Sequence, residues 1–297
     1  MPKDLREVLK GHLSAEELRR FRAFDIVGDI AVVKLPEQLL SKKHLIGQAL
    51  MKVHPNVRTV LNQTTPVRGE FRTREFEVIA GEPRTETVHR EGGCSFRVDL
   101  ARVYFSPRLA TERLRVAKLV RPGEVVINLF AGVGCYSVLI AKHSRPTRVY
   151  SIDKNPVAFE YMKENIRINK VGALVVPILG DARDVVENRL AGKADRVLMP
   201  LPELARDFLD VALKALKPAG GTIHFYDFGE EPDLFGPSFE FARSVAASRG
   251  LSVILTGARK IRSYATRCYH VALDLALSSW DKWDDPQEIL GELQPKP

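Results

Sequence analysis

Hydrophobic and polar positions follow mixed periods over the first third of the chain. Residues 1–22 show helical spacing, and residues 24–35 contain two apolar runs around a Gly-Asp pair, which predicts a hairpin. Residues 41–53 are again helical in pattern, and strand-like runs separated by glycine turns follow them up to residue 106. This pattern predicts a small α+β domain over residues 1–106.

The pattern becomes regular after residue 107, where strand-like and helical segments alternate. Strict β-α alternation is typical of a parallel sheet with helices on both faces. Two last strand-like runs within 251–277 have no helix between them, which predicts an antiparallel hairpin at one edge. We therefore predict an α/β fold with a Rossmann-like sheet over 107–278 and an acidic tail over 279–297, in which a short helix is expected around 286–293.

Composition and charge limit the functions that this chain can have. The net charge is +8, and residues 1–120 carry 22 Lys and Arg against 15 Asp and Glu. This imbalance favours a polyanionic partner for the N-terminal part, although a solvated charged surface is an alternative explanation. No apolar run reaches the 18 or so residues of a membrane span, and no signal peptide is evident, so we expect a cytoplasmic protein. Three widely separated cysteines predict neither a disulfide framework nor a zinc site.

Three successive strand ends carry the residues of a nucleoside site. The first predicted strand runs into a loop with Gly132 and Gly134, the second ends in Asp153, and the third is followed by Asp181. An acid at the second strand end typically accepts hydrogen bonds from ribose hydroxyls. A dinucleotide loop requires a third glycine, whose place is taken here by Ser137. S-adenosylmethionine has no phosphate and suits the wider loop better.

The loop after the fourth strand reads Met-Pro-Leu-Pro. Pro200 and Pro202 cannot continue the ladder of backbone hydrogen bonds and fix the local chain direction. The loop is expected to turn its backbone carbonyls toward the molecule that binds next to the cofactor. The alternative explanation is that the prolines only end the strand. His224 and His270 lie in apolar strands and are expected in the core, as is Tyr136 after the glycine loop.

At this point the chain resembles the archaeal and eukaryotic class-I tRNA (guanine-37-N1)-methyltransferases. The most specific match is SPRLATER at 106–113, and the match is strong over residues 60–277. The motifs NLFAGVG and KNP are shared with the related aminocarboxypropyltransferases of the wybutosine pathway, so they indicate the wider group. The matching segments are VYFSPRLATER (103–113), NLFAGVGCYS (128–137), IDKNPVAFEYMKENIRINKV (152–171), ILGDARDV (178–185), DRVLMPLPE (195–203) and GGTIHFYDF (220–228).

The resemblance implies S-adenosylmethionine as methyl donor and tRNA, at the guanosine 3′ of the anticodon, as substrate. It implies Glu112 as general base, with Arg72 at the guanine O6 and Arg74 as the fallback for that role. Because Arg72 and Arg74 are two apart in a strand-like run, they are expected to share one face. Arg108 is then expected to hold a phosphate or to orient Glu112. A monomer without a metal ion is expected. The residues expected at the cofactor are Asn128, Phe130, Ala131, Gly132, Val133, Gly134, Asp153, Lys154, Asn155, Asp181, Ala182 and Pro200.

Two departures from the family pattern leave alternatives open. Pro200 stands where the family often has asparagine, and it offers neither a side-chain amide nor a backbone N–H. An enzyme of the wyosine branch that acts on the same position, by methyl or aminocarboxypropyl transfer, therefore stays an alternative, as does a bifunctional enzyme. The chain also starts too late to hold the small N-terminal domain of many members, so looser recognition of whole tRNA is expected. A silent RNA-binding protein is disfavoured by the intact glycine loop and both acids.

Overall fold

The computed structural model describes residues 5–21 and 23–279. The predicted tail helix and nearly all of the predicted acidic tail lie outside these residues. Within them, no helix is long and apolar enough to cross a membrane.

The N-terminal part is an α+β unit built on a four-stranded sheet. Two short helices and a longer one pack on this sheet, and the sheet order is β1-β2-β3-β4. The predicted hairpin over 24–35 is present, since β1 and β2 pair antiparallel around the Gly-Asp turn. The elements are α1 (Leu5–Leu9), α2 (Ala15–Arg20), β1 (Phe24–Val27), β2 (Ile30–Val33), a 3₁₀ helix (Glu37–Lys42), α3 (Lys43–Val53), β3 (Thr59–Gln63) and β4 (Phe76–Gly81).

A separate antiparallel hairpin of β5 (Glu86–Glu91) and β6 (Cys94–Asp99) follows this sheet. It packs against the second half of the chain, where Asn165 Oδ1 accepts from the backbone N of Arg97 at 2.7 Å. Asn169 Oδ1 accepts from the backbone N of Ser95 at 2.9 Å. The hairpin thus belongs with the larger sheet in packing, although the predicted boundary at residue 106 assigns it to the first domain.

The second half forms a seven-stranded sheet with order β12-β13-β11-β10-β7-β8-β9. The five strands β7 to β11 are parallel to one another, and β13 runs antiparallel between β11 and β12. The predicted Rossmann-like sheet and its edge hairpin are both confirmed. The elements are α4 (Ala110–Leu119), β7 (Val125–Asn128), α5 (Cys135–His143), β8 (Arg148–Asp153), α6 (Pro156–Ile168), β9 (Val175–Leu179), α7 (Ala182–Val185), β10 (Arg196–Met199), α8 (Pro202–Ala215), β11 (Gly221–Glu230), α9 (Gly236–Ala247), β12 (Leu251–Ala265) and β13 (Cys268–Ser279).

Parallel pairing brings the carboxyl ends of the central strands to one edge. The predicted acid Asp153 ends β8, the glycine loop follows β7, and the Pro-Leu-Pro loop follows β10. In open α/β sheets this edge is where ligands bind. The topology therefore collects the sequence-predicted residues that are far apart along the chain.

Candidate functional site

A cavity of about 240 Å³ opens at this edge between the larger sheet and the N-terminal unit. Its walls come from the loops after β7, β8, β9 and β10 and from a loop that precedes β4. The sequence-predicted residues in its lining are Arg72, Phe130, Gly132, Asp153, Lys154, Asn155, Asp181, Ala182, Pro200 and Pro202.

The glycine loop is closed by the carboxylate of Asp153. Its Oδ2 accepts from the backbone N of Gly132 at 2.6 Å, and its Oδ1 accepts from the backbone N of Asn155 at 2.9 Å. Burial raises the pKa of Asp153, and these two hydrogen bonds oppose that rise. Gly132 and Gly134 have φ values of 56° and 89°, which favour glycine. A Cβ on Gly134 would lie 3.0 Å from Cγ of Met162, so the loop also needs the space.

Four of the predicted cofactor residues are buried and do not line the cavity. Asn128 is buried and donates to Oγ of Ser137 at 3.3 Å, while its Oδ1 accepts from the backbone N of Phe130 at 3.4 Å. Ala131, Val133 and Gly134 belong to the loop itself and are also buried. The structure therefore places these four residues outside the cavity lining, where they shape the loop.

Asn155 and Asp181 each cap a helix that starts at the cavity. Asn155 Oδ1 accepts from the first turn of α6, and Asp181 Oδ1 accepts from the backbone N of Arg183 at 2.9 Å. Lys154 Nζ lies 3.5 Å from Asp181 and 2.6 Å from Glu70. Lys154 therefore links the cofactor edge of the sheet to the loop of the N-terminal unit.

Arg72 enters the cavity from that loop. Its φ is 56°, and its guanidinium lies 4.5 Å from the ring centre of Tyr104 and forms an ion pair with Glu203. The prediction that Arg72 and Arg74 share one face of a strand is wrong, because β4 starts only at Phe76. The chain turns at Arg72, and of the two residues only Arg72 lines the cavity.

Arg74 and Arg108 lie in a wider groove that continues from the cavity and has a volume of about 1,080 Å³. Arg74 is largely buried and donates to the backbone O of Phe105 at 3.0 Å. Arg108 is half-exposed and donates to Asp25 at 2.8 Å, across to the N-terminal unit. Neither arginine lines the donor cavity, and Arg108 does not pair with Glu112 within the part of the chain that the structure describes.

Glu112 lies inside the protein and outside the lining of the cavity. It is 5% exposed, and Arg115 donates to its two carboxylate oxygens at 2.6 and 2.8 Å. The hydroxyl of Tyr226 donates to Oε1 at 2.7 Å. The structure thus does not bring the predicted general base to the cavity, and its role in catalysis stays a prediction. The carboxylate that lies beside Arg72 in the lining is Glu203.

Several cavity residues were missed by sequence reasoning, among them Tyr104, Arg262 and His270. Arg262 Nη2 donates to the hydroxyl of Tyr104 at 3.2 Å. His270 is 4% exposed and so lies in the core, as predicted, but its edge also faces the cavity. His224 and Tyr136 are both buried, as predicted. No local pattern marks Arg262 and His270 as site residues, because they reach the cavity through pairing of the last two strands.

The cavity fits S-adenosylmethionine by its chemistry. The partly buried carboxylate of Asp153 lies at the end of β8, where an acid typically accepts from ribose hydroxyls. Phe130, Ala158 and Phe208 supply apolar surface for an adenine ring. The glycine loop precedes α5 and carries no cationic side chain for a pyrophosphate. The fold and this site define a methyltransferase of the doubly wound class.

The chain belongs to the TRM5/TYW2 methyltransferase family. The family model for the TRM5/TYW2 methyltransferase domain matches residues 87–254, and a TYW2 N-terminal domain model matches residues 5–85. The chain is 46% identical to the tRNA (guanine(37)-N(1))-methyltransferase Trm5b of Pyrococcus abyssi, over 93% of this chain and 81% of the relative.

Two further similarities cover both branches of the family. A tRNA(Phe) (4-demethylwyosine(37)-C(7)) aminocarboxypropyltransferase of Methanocaldococcus jannaschii is 36% identical, over 84% of this chain and 95% of the relative. The solved complex of aTrm5 and tRNALeu has a TM-score of 0.81 and 34% identity, over 93% of this chain and 78% of that chain.

Proposed function

We propose that this chain transfers a methyl group from S-adenosylmethionine to N1 of guanosine 37 in tRNA. The observation that carries this proposal is the entry of Arg72, from the N-terminal unit, into the cavity formed by the donor loops. The greater identity to the guanine-N1-methyltransferase, 46% against 36%, favours methyl transfer over aminocarboxypropyl transfer. We propose that the protein acts as a monomer without a metal ion in the cytoplasm.

S-adenosylmethionine supplies an electrophilic methyl group on its sulfonium. Asp153 would hold the ribose hydroxyls, and Phe130 with Ala182 would border the adenine. Asp181, at the start of α7, would accept from the adenine amino group. Pro200 and Pro202 line the cavity and would border both the donor and the incoming base. These residues bind and orient the donor, and none of them forms a covalent bond to it.

The substrate base enters beside Arg72 and Tyr104. Tyr104 offers an aromatic face against which a base flipped out of the anticodon loop can stack. Arg72 donates to O6 and stabilises the negative charge that develops there when N1 loses its proton. The groove that continues from the cavity carries Arg68, Arg74 and Arg108 for the phosphates of the loop. Its cationic character agrees with the charge excess of the first 120 residues.

A carboxylate must take the N1 proton, and the two candidates differ in position: Glu112 is buried outside the cavity lining, whereas Glu203 lies within it. We propose Glu112, as the family resemblance implies, and Glu203 is the matched comparison because it lies beside Arg72 in the cavity lining. We expect Glu112→Gln to lower kcat about 100-fold or more at unchanged donor affinity. Glu203→Gln is expected to lower kcat by less than about 10-fold, the low end of proton-transfer effects. Single-turnover rates with donor Kd values decide, and the reverse order would move the role to Glu203.

The wyosine branch is the second candidate, and Pro200 is the observation that favours it. Pro200 lines the cavity and offers no hydrogen-bond donor to a guanine edge. A tricyclic guanine derivative presents more ring surface and fewer polar groups at that side. The apolar wall that Pro200 makes suits such a ring.

The direct test is incubation of the protein with S-adenosylmethionine and an unmodified tRNA transcript that carries G37. We expect 1-methylguanosine in the nucleoside mass spectrum, and none from a matched A37 transcript. A product only with tRNA that already carries the tricyclic precursor would assign the chain to the wyosine branch. No product with either tRNA would contradict both candidates.

A further inference from the structure

The two buried histidines of the larger sheet differ in how their ring nitrogens are used. His224 is fully enclosed, with Nδ1 2.6 Å from Asp274 and Nε2 2.8 Å from Arg196. His270 is 4% exposed, but its Nε2 is buried without a hydrogen-bond partner in the described structure. A buried polar atom without a partner is unfavourable, so this nitrogen, on a residue that lines the cavity, points to a ligand that supplies the partner.

The position of His270 points to the substrate side of the cavity. It pairs with Arg262 on β12 and with Phe228 on β11, and all three line the cavity. The neighbouring Arg262 and Arg72 each have a buried Nε without a partner in the described structure. Three unpartnered buried nitrogens thus line one cavity, which is the pattern expected where a polar ligand completes the hydrogen bonds.

The charges around His270 set which kind of hydrogen bond it can make. Burial, together with the nearby guanidinium groups of Arg262 and Arg72, lowers the pKa of His270 to about 3. The imidazole is therefore neutral near pH 7. With its proton on Nδ1, a neutral ring presents Nε2 as an acceptor. The cavity lining then places a neutral acceptor on His270 beside the cationic donors Arg72 and Arg262.

We propose that His270 is a specificity residue that accepts a hydrogen bond from the exocyclic 2-amino group of the target guanine. This inference rests on the proposed function. In guanine, O6 and the 2-amino group flank N1, so a donor at O6 and an acceptor at the amino group leave N1 open to the methyl group. Arg72 supplies the first contact and His270 the second. Adenine presents an amino group where guanine has O6, so it meets the cationic donors with a donor of its own.

The test removes the acceptor on His270 and the 2-amino group of the base, separately and together. Wild type, His270→Phe and His270→Gln are assayed by single-turnover methylation on G37 and inosine-37 transcripts, since inosine lacks only the 2-amino group. We expect the wild type to prefer G37 by about 10- to 100-fold, the range for an unpaired buried polar group. In His270→Phe the preference should fall to about 1, with G37 slowed by that same factor. His270→Gln keeps a side-chain carbonyl and should restore part of the preference.

Matched controls separate a local effect from a folding defect. His54→Phe replaces a half-buried histidine of the N-terminal unit, outside the cavity lining, and should leave the preference unchanged. The Kd of S-adenosylhomocysteine and the Tm should be those of the wild type in all variants. A folded His270→Phe that keeps the wild-type preference for G37 would overturn the inference.

A wild type that methylates neither transcript would refute the proposed function, and a binding measurement then still tests the contact. The Kd of G37 and inosine-37 anticodon stem-loops is measured with S-adenosylhomocysteine present. A G37 preference that disappears in His270→Phe supports the contact. Equal affinities in the wild type contradict it.

Discussion

Replacement of Arg115 by alanine is expected to lower the free energy of unfolding by about 3–5 kcal/mol, because it leaves buried carboxylates without their partner. Arg115 donates to Glu112 and also to both oxygens of Asp274, at 2.5 and 3.0 Å. Burial by itself raises the pKa of Asp274, but hydrogen bonds from His224 and Arg115 hold it well below its usual range. The network thus holds two carboxylates inside the domain, and both of them depend on one guanidinium.

Urea unfolding followed by circular dichroism measures this effect, with Arg243→Ala as the matched control. Arg243 forms an exposed i,i+3 pair with Glu240, and exposed pairs contribute about 0–1 kcal/mol. The control should therefore change the midpoint little. An Arg115→Ala protein as stable as this control would show that the buried network does not stabilise the fold.

Replacement of Asp153 by alanine is expected to raise the Kd of S-adenosylhomocysteine about 100-fold or more. The carboxylate is the acceptor that we propose for the ribose hydroxyls, and each hydrogen bond to a charged group contributes about 1.5–3 kcal/mol. The same carboxylate orders the donor loop through the backbone N–H groups of Gly132 and Asn155. Two losses therefore combine, and they affect donor binding before any step of the chemistry.

Isothermal titration calorimetry with S-adenosylhomocysteine gives this Kd directly. Glu160→Ala is the matched control, because Glu160 is an exposed acid on the following helix, α6. Its Kd should stay within about 2-fold of the wild type, the range of a surface change. An unchanged Kd in Asp153→Ala would refute the assignment of the ribose site.

The larger sheet could be predicted from the sequence because its signals are local. Each strand-helix unit has its own apolar run, and the donor residues follow directly after the strands. The hairpin at 24–35 could be predicted for the same reason, since a Gly-Asp turn between apolar runs defines it. The prediction that Arg72 and Arg74 share one face of a strand was wrong, because the backbone turns at Arg72, with a φ of 56°, and β4 starts only at Phe76.

The sequence by itself determined the alternation of strands and helices and the family. It also determined the order along the chain of the strand-end residues that line the cavity. Only the tertiary structure decided which polar side chains face the cavity. Arg72, Tyr104 and His270 come from three separate parts of the chain, and strand pairing and domain packing bring them together. The same packing buries Glu112 and pairs it with Arg115. The sequence of α4 by itself does not show that this face of the helix is buried. Burial and partnership depend on contacts between distant segments, so periodicity along one segment cannot reveal them.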